Sequence, residues 1–123
     1  MKIKVILLEP MKEAYLGEIG NDLRSMQKAV GGRIEVIFPF KNEVGLIVNE
    51  EGKINGLPLN RAIFDSDGNV IEIIAGTAFL CDCSGEEMQG LSDEHIKTYL
   101  ERFRFPEMFV SINGEIIALP LLG

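Results

Sequence analysis

The side chains with the greatest capacity for chemistry gather in NEEGKINGLPLNRA, from Asn49 to Ala62. Arg61 offers five N–H donors in a planar fork that matches a carboxylate or a phosphate two bonds at a time, and Lys53 adds a point charge. Asn49 and Asn60 supply amides that both donate and accept, while Glu50 and Glu51 supply carboxylates. Such a set either clamps an anionic ligand or closes on itself, with Arg61 holding Glu50 or Glu51. Asn49, Glu50, Glu51, Lys53, Asn60 and Arg61 are therefore the candidate binding residues. Gly52 and the Asn55-Gly56 pair read as turns, because glycine and asparagine tolerate positive φ. Pro58 presses its predecessor into an extended shape and leaves Asn60 and Arg61 at the start of a strand.

Other constellations carry less. Cys81 and Cys83, the two cysteines of the chain, alternate onto one face of a strand, a poor geometry for a mutual disulfide and not the CxxC of a redox pair. Two thiolates fall short of the four ligands of a structural zinc site, and the single histidine, His95, reads as a solvated residue on a helix. Asp65-x-Asp67 with Gly68 departs from a calcium loop in its glycine position and final ligand, and reads as a hairpin turn. Glu86 and Glu87 read as solvated surface. The chain contains no nucleophile elbow, zinc-protease helix, P-loop or dinucleotide fingerprint, so no catalytic residue, metal or cofactor is expected.

The elements that must position these groups follow from periodicity. Lys2 to Leu8 reads as a covered strand, and Glu9 to Gly20, with Pro10, Gly17 and Gly20, as loop. Asn21 or Gly20 can cap a helix with Leu23, Met26, Gln27 and Val30 on one side, stopping at Gly31-Gly32. Strands are expected over Arg33 to Phe38, Val44 to Val48, Ala62 to Phe64, Val70 to Ile74 and Thr77 to Cys81, with a hairpin closed through Asp67-Gly68. Ser92 caps a second helix bearing the stripe Ile96, Tyr99, Leu100 and Phe103, with Leu91 and Ile96 spaced as a hydrophobic staple. Met108 to Ile112 and Glu115 to Leu119 flank Asn113-Gly114, the favoured pair for a type I′ turn. The expected fold class is α+β: a largely antiparallel sheet of hairpins with two main helices.

Composition sets the remaining bounds. At 123 residues, 46% hydrophobic and 25% charged, the chain suits one domain over residues 1–123 with a proper core. Nineteen acidic side chains against twelve basic ones give a formal net charge of −7, which repels phosphate, disfavours nucleic acid and favours a protein partner. No run approaches the roughly 20 apolar residues of a membrane span. MKIKVILLEP reads as a strand rather than a leader. A soluble, cytoplasmic protein with reduced cysteines is expected.

The runs NDLRSMQKAVGGRIEVIFPF, NEEGKINGLPLNRAIFDSDGNVIEIIAGTAFLC and FPEMFVSINGEI together resemble the family known as domain of unknown function 3846, over about Asn21 to Pro120. The combination of VGG, NEEGK and GLPLNRA carries the resemblance. It implies a small protein of gut Firmicutes, in the company of mobile genetic elements, from a family without an established activity. Arg33 stands where the family pattern has an aromatic residue after VGG, and Asp82-Cys83 departs from its glycine-containing continuation. Both departures argue against cysteine-based or aromatic-stacking chemistry. The reading that results is a non-enzymatic binding or protein-interaction accessory protein of mobile elements, with Asn49 to Arg61 as its contact surface. The alternative is a small enzyme or nucleotide-type ligand binder built on Arg61, Lys53, Asn60 and a glutamate.

Overall fold

A computed structural model describes residues 1–122. Its order is β1 (Lys2–Leu8), β2 (Tyr15–Gly20), α1 (Leu23–Val30), β3 (Ile34–Ile37), β4 (Val44–Asn49), β5 (Leu59–Phe64), β6 (Val70–Ala75), β7 (Ala78–Asp82), α2 (Asp93–Arg102), β8 (Glu107–Ile112) and β9 (Glu115–Pro120). Five strands form one sheet in the order β2-β1-β7-β4-β3, and β5-β6 and β8-β9 are separate two-stranded ribbons. Every pairing is antiparallel. The fold is α+β, as the alternation and turn chemistry predict. No helix among the described residues is long and apolar enough to cross a membrane.

The central sheet is covered on both faces, which is why every residue of β4 is buried. On one face Met26 and Val30 of α1 pack against Val5, Ile47, Phe79 and Cys81. On the other, Tyr99 and Phe103 of α2, with Ile63 and Ile74 of the β5-β6 ribbon, pack against Ile6, Leu8, Leu46 and Leu80. Alternation along each strand distributes the two sets: Ile47 and Phe79 face α1, while their neighbours Leu46 and Leu80 face α2. The stripe expected on α2 is the one it buries, and Leu91 joins Ile96 in the same cluster.

Both helix starts are capped by side chains. The Ser92 hydroxyl accepts the His95 amide at 3.1 Å. At α1 the cap is Asp22 rather than Asn21 or Gly20: its carboxylate accepts the Ser25 amide at 2.9 Å, and those Ser25 contacts hold the carboxyl below its usual range. Gly31 ends α1 in the left-handed region, φ 81°, with Gly31 and Gly32 amides both returning to the Gln27 carbonyl. Leu23, expected on the buried side, stands at the first position of α1 and is 58% exposed.

Tyr15 to Gly20 is an edge strand and not a loop. Its glycines are positions of close approach: a Cβ on Gly17 would lie 2.7 Å from Leu7 Cδ1, and one on Gly20 would lie 2.4 Å from Ser25 Oγ. The glycines that obscure the strand pattern stand where the side chains of Leu7, Asp22 and Ser25 come close. The two later hairpins form where their turn residues place them, with Gly68 at φ 81° and Asn113-Gly114 at φ 52° and 83°. Asp65 Oδ1 accepts the Asp67 and Asn69 amides, both at 2.9 Å, so this carboxylate closes its own turn.

Tyr15 donates its phenol to Glu9 across the β1-β2 connection, and that hydrogen bond, helped by burial and by the Glu9 charge, pushes the phenol up to about 12 from its ordinary 10.0. A raised phenol favours the folded state below the unfolded value near 10 and loses that contribution as pH climbs through about 12. An NMR titration of the Tyr15 ring carbons is expected to show ionisation near 12, and Glu9→Gln is expected to return it toward 10.

Candidate functional site

A cleft of about 250 Å³ opens between β3 and β6, under the turn that follows β4. Its apolar lining comes from Ile37, Val48, Ile54 and Ile74, and its charged lining from Glu35, Glu50, Lys53 and Glu72. The turn lies close to β6 because of Gly52: a Cβ there would stand 2.6 Å from the Ala75 carbonyl oxygen. Gly52 thus serves close packing, and positive φ belongs to Gly56 alone in this turn, at 69°. Ile54 stands at the mouth, 83% exposed.

The ionic groups are mostly paired. Lys53 reaches Glu72 across the cleft, and Glu72 Oε1 also accepts the amide of Ile73 at 3.0 Å. Arg33 holds Glu50 through Nε at 3.1 Å and Glu51 through Nη2 at 3.3 Å. Pairs this exposed contribute about 0–1 kcal/mol each, so they shape the rim more than they stabilise the fold. Glu35, exposed on β3, makes no ion pair among the described residues. The net character of the rim is acidic.

Asn49 is buried and committed. Its Nδ2 donates to the Val30 carbonyl at 3.1 Å, covering an acceptor that the end of α1 would otherwise leave open, and its Oδ1 accepts the Glu51 amide at 2.8 Å. The side chain fixes where the turn leaves β4.

Asn60 and Arg61 lie away from the cleft, in the interior. The β5-β6 register shifts between Leu59 and Arg61, and this bulge turns two consecutive side chains inward where a regular strand would send them to opposite faces. Asn60 Nδ2 donates to the carbonyls of Leu8 and Gly76, each at 2.8 Å, and its Oδ1 accepts from Arg61 Nη1 at 2.9 Å. Arg61 is fully buried, and each of its three nitrogens is bonded. Nε and Nη2 donate to the Phe103 carbonyl at 3.3 and 3.1 Å, Nη2 to Lys12 O at 2.7 Å, and Nη1 to Glu9 O at 3.4 Å and Asn60 O at 3.3 Å. Arg61 does not hold Glu50 or Glu51; Arg33 does. The expected clamp is a structural hub that joins β5, the β1-β2 connection and the end of α2.

Burial draws the Arg61 guanidinium down from its ordinary value, opposed by the charge of Glu107. Burial also pushes the Glu107 carboxyl up, while the Ala62 amide, donating to its Oε1 at 2.9 Å, and the nearby Arg61 charge pull it back. Cys81 and Cys83 share a face beneath α1, free, with their sulfurs 3.8 Å apart, and burial raises both thiols. Protonated thiols are poor nucleophiles and poor metal ligands. His95 is half-buried rather than solvated, its ring 5.9 Å from that of Tyr99.

The candidate set therefore divides. Asn49, Glu50 and Lys53 line the cleft, Glu51 braces Arg33 behind it, and Asn60 with Arg61 belongs to the interior. Sequence reasoning missed Glu35 and Glu72, which face the cleft from two strands far apart in the chain. Glu72 carried a signal in VIEII, a lone carboxylate inside an apolar strand.

The family model described as Domain of unknown function (DUF3846) matches residues 1–104. This chain belongs to that family. The matched span contains the cleft and the Arg61 hub and ends before β8, so FPEMFVSINGEI, from Phe105 to Ile116, lies wholly beyond it. No curated protein and no solved structure matches the chain.

Arg61→Met removes every one of these donors and leaves carbonyls of Phe103, Lys12 and Asn60 without their partner. Urea unfolding is expected to show a loss of about 3 kcal/mol or more, since each buried acceptor left without a donor costs about 1–3 kcal/mol. Loss below about 1 kcal/mol would show that water replaces the guanidinium at little cost.

Proposed function

We propose that this member of the family is a one-domain, non-enzymatic binding module, and that the cleft between β3 and β6 receives a short segment of a protein partner. The observation that carries this reading is the cleft's pairing of an apolar floor, Ile37, Val48 and Ile74, with an acidic rim whose Glu35 carboxylate meets no cation among the described residues. A volume of about 250 Å³ is smaller than the roughly 300–1,000 Å³ typical of sites for drug-sized ligands, and suits one or two anchoring side chains. A lysine or arginine beside an aliphatic residue matches this lining: the aliphatic group covers Ile37 and Ile74, and the cation meets Glu35. The association with mobile elements is what the family resemblance implies, and the cytoplasmic setting rests on the two cysteines, which are free.

A nucleotide-type ligand fits less well. Its phosphates need free donors, and Arg61, the fork best suited to them, spends all its bonds on carbonyls of the same chain. Lys53 is held by Glu72, and the carboxylates around it oppose an anion.

Phage-displayed heptapeptides panned against the wild-type protein and against Glu35→Lys test the reading. Sequences selected by the wild type are expected to share a basic residue next to an aliphatic one and to lose at least tenfold in affinity, about 1.4 kcal/mol, for Glu35→Lys and for Ile54→Asp. Selected peptides that bind all three proteins equally would place recognition outside the cleft and overturn the proposal.

A further inference from the structure

The β8-β9 ribbon contains no buried residue. Met108, Ile112, Ile116 and Leu119 are 42%, 52%, 53% and 41% exposed, and apolar side chains stand on both faces of the ribbon. A lone two-stranded ribbon is marginal in water. Here one strand, β8, leans on β5, where Glu107 accepts the Ala62 amide. The other strand, β9, pairs with β8 alone among the described residues.

The direction of each β9 amide follows from the ladder. The Leu121 amide donates to the Pro106 carbonyl at 2.8 Å, which makes Pro106–Leu121 a hydrogen-bonded pair in the register that carries on through Met108–Leu119, Val110–Ile117 and Ile112–Glu115. Hydrogen-bonded and non-hydrogen-bonded pairs alternate in an antiparallel ladder. Ile116 and Ala118 fall in the second class, so their N–H and C=O groups point outward from the ribbon.

We propose that β9 is a self-association edge: two copies pair antiparallel about a two-fold axis at Ile117 and merge their ribbons into one four-stranded sheet. In this register Ile116 of each copy faces Ala118 of the other, and the four outward groups of each strand are matched by four hydrogen bonds. Ile117 meets its own equivalent, a pairing of β-branched side chains that suits a sheet. Glu115, the one charge of β9, falls opposite Leu119, so no like charges meet. Centring the axis one residue later would set Ile116 against Pro120, which has no N–H to give.

Charge and length separate this edge from the two edges of the central sheet. β3 has four residues, carries Glu35 and runs on to Pro39, while β2 carries Glu18 and two glycines and lies against α1. Short edges, charges and prolines are what ordinarily stop strands from pairing between molecules. β9 has six residues with no lysine and no proline before its last position. A two-fold contact also uses the edge once per copy, so the assembly closes at two.

Light scattering on the full chain across a concentration series, joined to hydrogen exchange of assigned amides, tests the inference. The wild type is expected to be a dimer in which the Ile116 and Ala118 amides are protected, although both point to water in a single copy. Ile116→Pro deletes one outward donor without touching a bond of the β8-β9 ladder, and is expected to raise the dissociation constant at least tenfold. A wild type that stays monomeric throughout, or a dimer whose Ile116 and Ala118 amides exchange at the rates of free peptide, overturns it. Should Ile116→Pro disrupt the ribbon, those wild-type amide rates still decide.

Discussion

A buried guanidinium with no carboxylate at ion-pair distance must be satisfied by carbonyl oxygens, and this requirement organises one side of the molecule. Arg61 draws Glu9 and Lys12 from the β1-β2 connection, Phe103 from the end of α2 and its own neighbour Asn60 into one network. The carbonyls of Glu9, Lys12 and Phe103 lie outside the strands and helices, and that of Asn60 lies at the β5 bulge, where regular pairing is interrupted. The guanidinium thus replaces the regular hydrogen bonding that the chain lacks at this junction. The β5-β6 ribbon, which packs Ile63 and Ile74 against one face of the central sheet, is tied through it to the β1-β2 connection and the end of α2.

The same network explains why the polar segment from Asn49 to Arg61 is not a single site. Its first half stays at the surface because Asn49 ties the turn to the end of α1 and Gly52 lets that turn approach β6. Its second half enters the interior because the bulge at Asn60 aims two consecutive side chains the same way. A distance of a dozen residues along the chain separates two environments, one wet and acidic, the other dry and made of carbonyls.

The legible parts of the sequence were those set by local rules. Ser92 with its staple, the glycine pair after α1, Asp67-Gly68 and Asn113-Gly114 each act within a few residues, and each stands where its chemistry puts it. β2 was hidden because the space beside Gly17 and Gly20 is set by Leu7 and Ser25, which no pattern within Tyr15 to Gly20 reports. Arg61 was recognised as the most capable group, but its partners are backbone carbonyls, and a carbonyl has no residue type to read. The cleft was half visible, through Glu50 and Lys53, since Glu35 and Glu72 reach it only through tertiary packing.

The strand order has a consequence for how the chain is made. β7 is the middle strand of the central sheet, between β1 and β4, yet it is the last of the five to be synthesised. Leu8 pairs with Ala78, so at roughly 5–20 residues per second the ribosome delivers its partner several seconds later. Until then the nascent chain holds two separate antiparallel pieces, β1-β2 and β3-β4, each with an apolar strand open along one side. One late insertion closes both edges, and α2, which follows β7 in the chain, then covers the face formed by Ile6, Leu46 and Leu80.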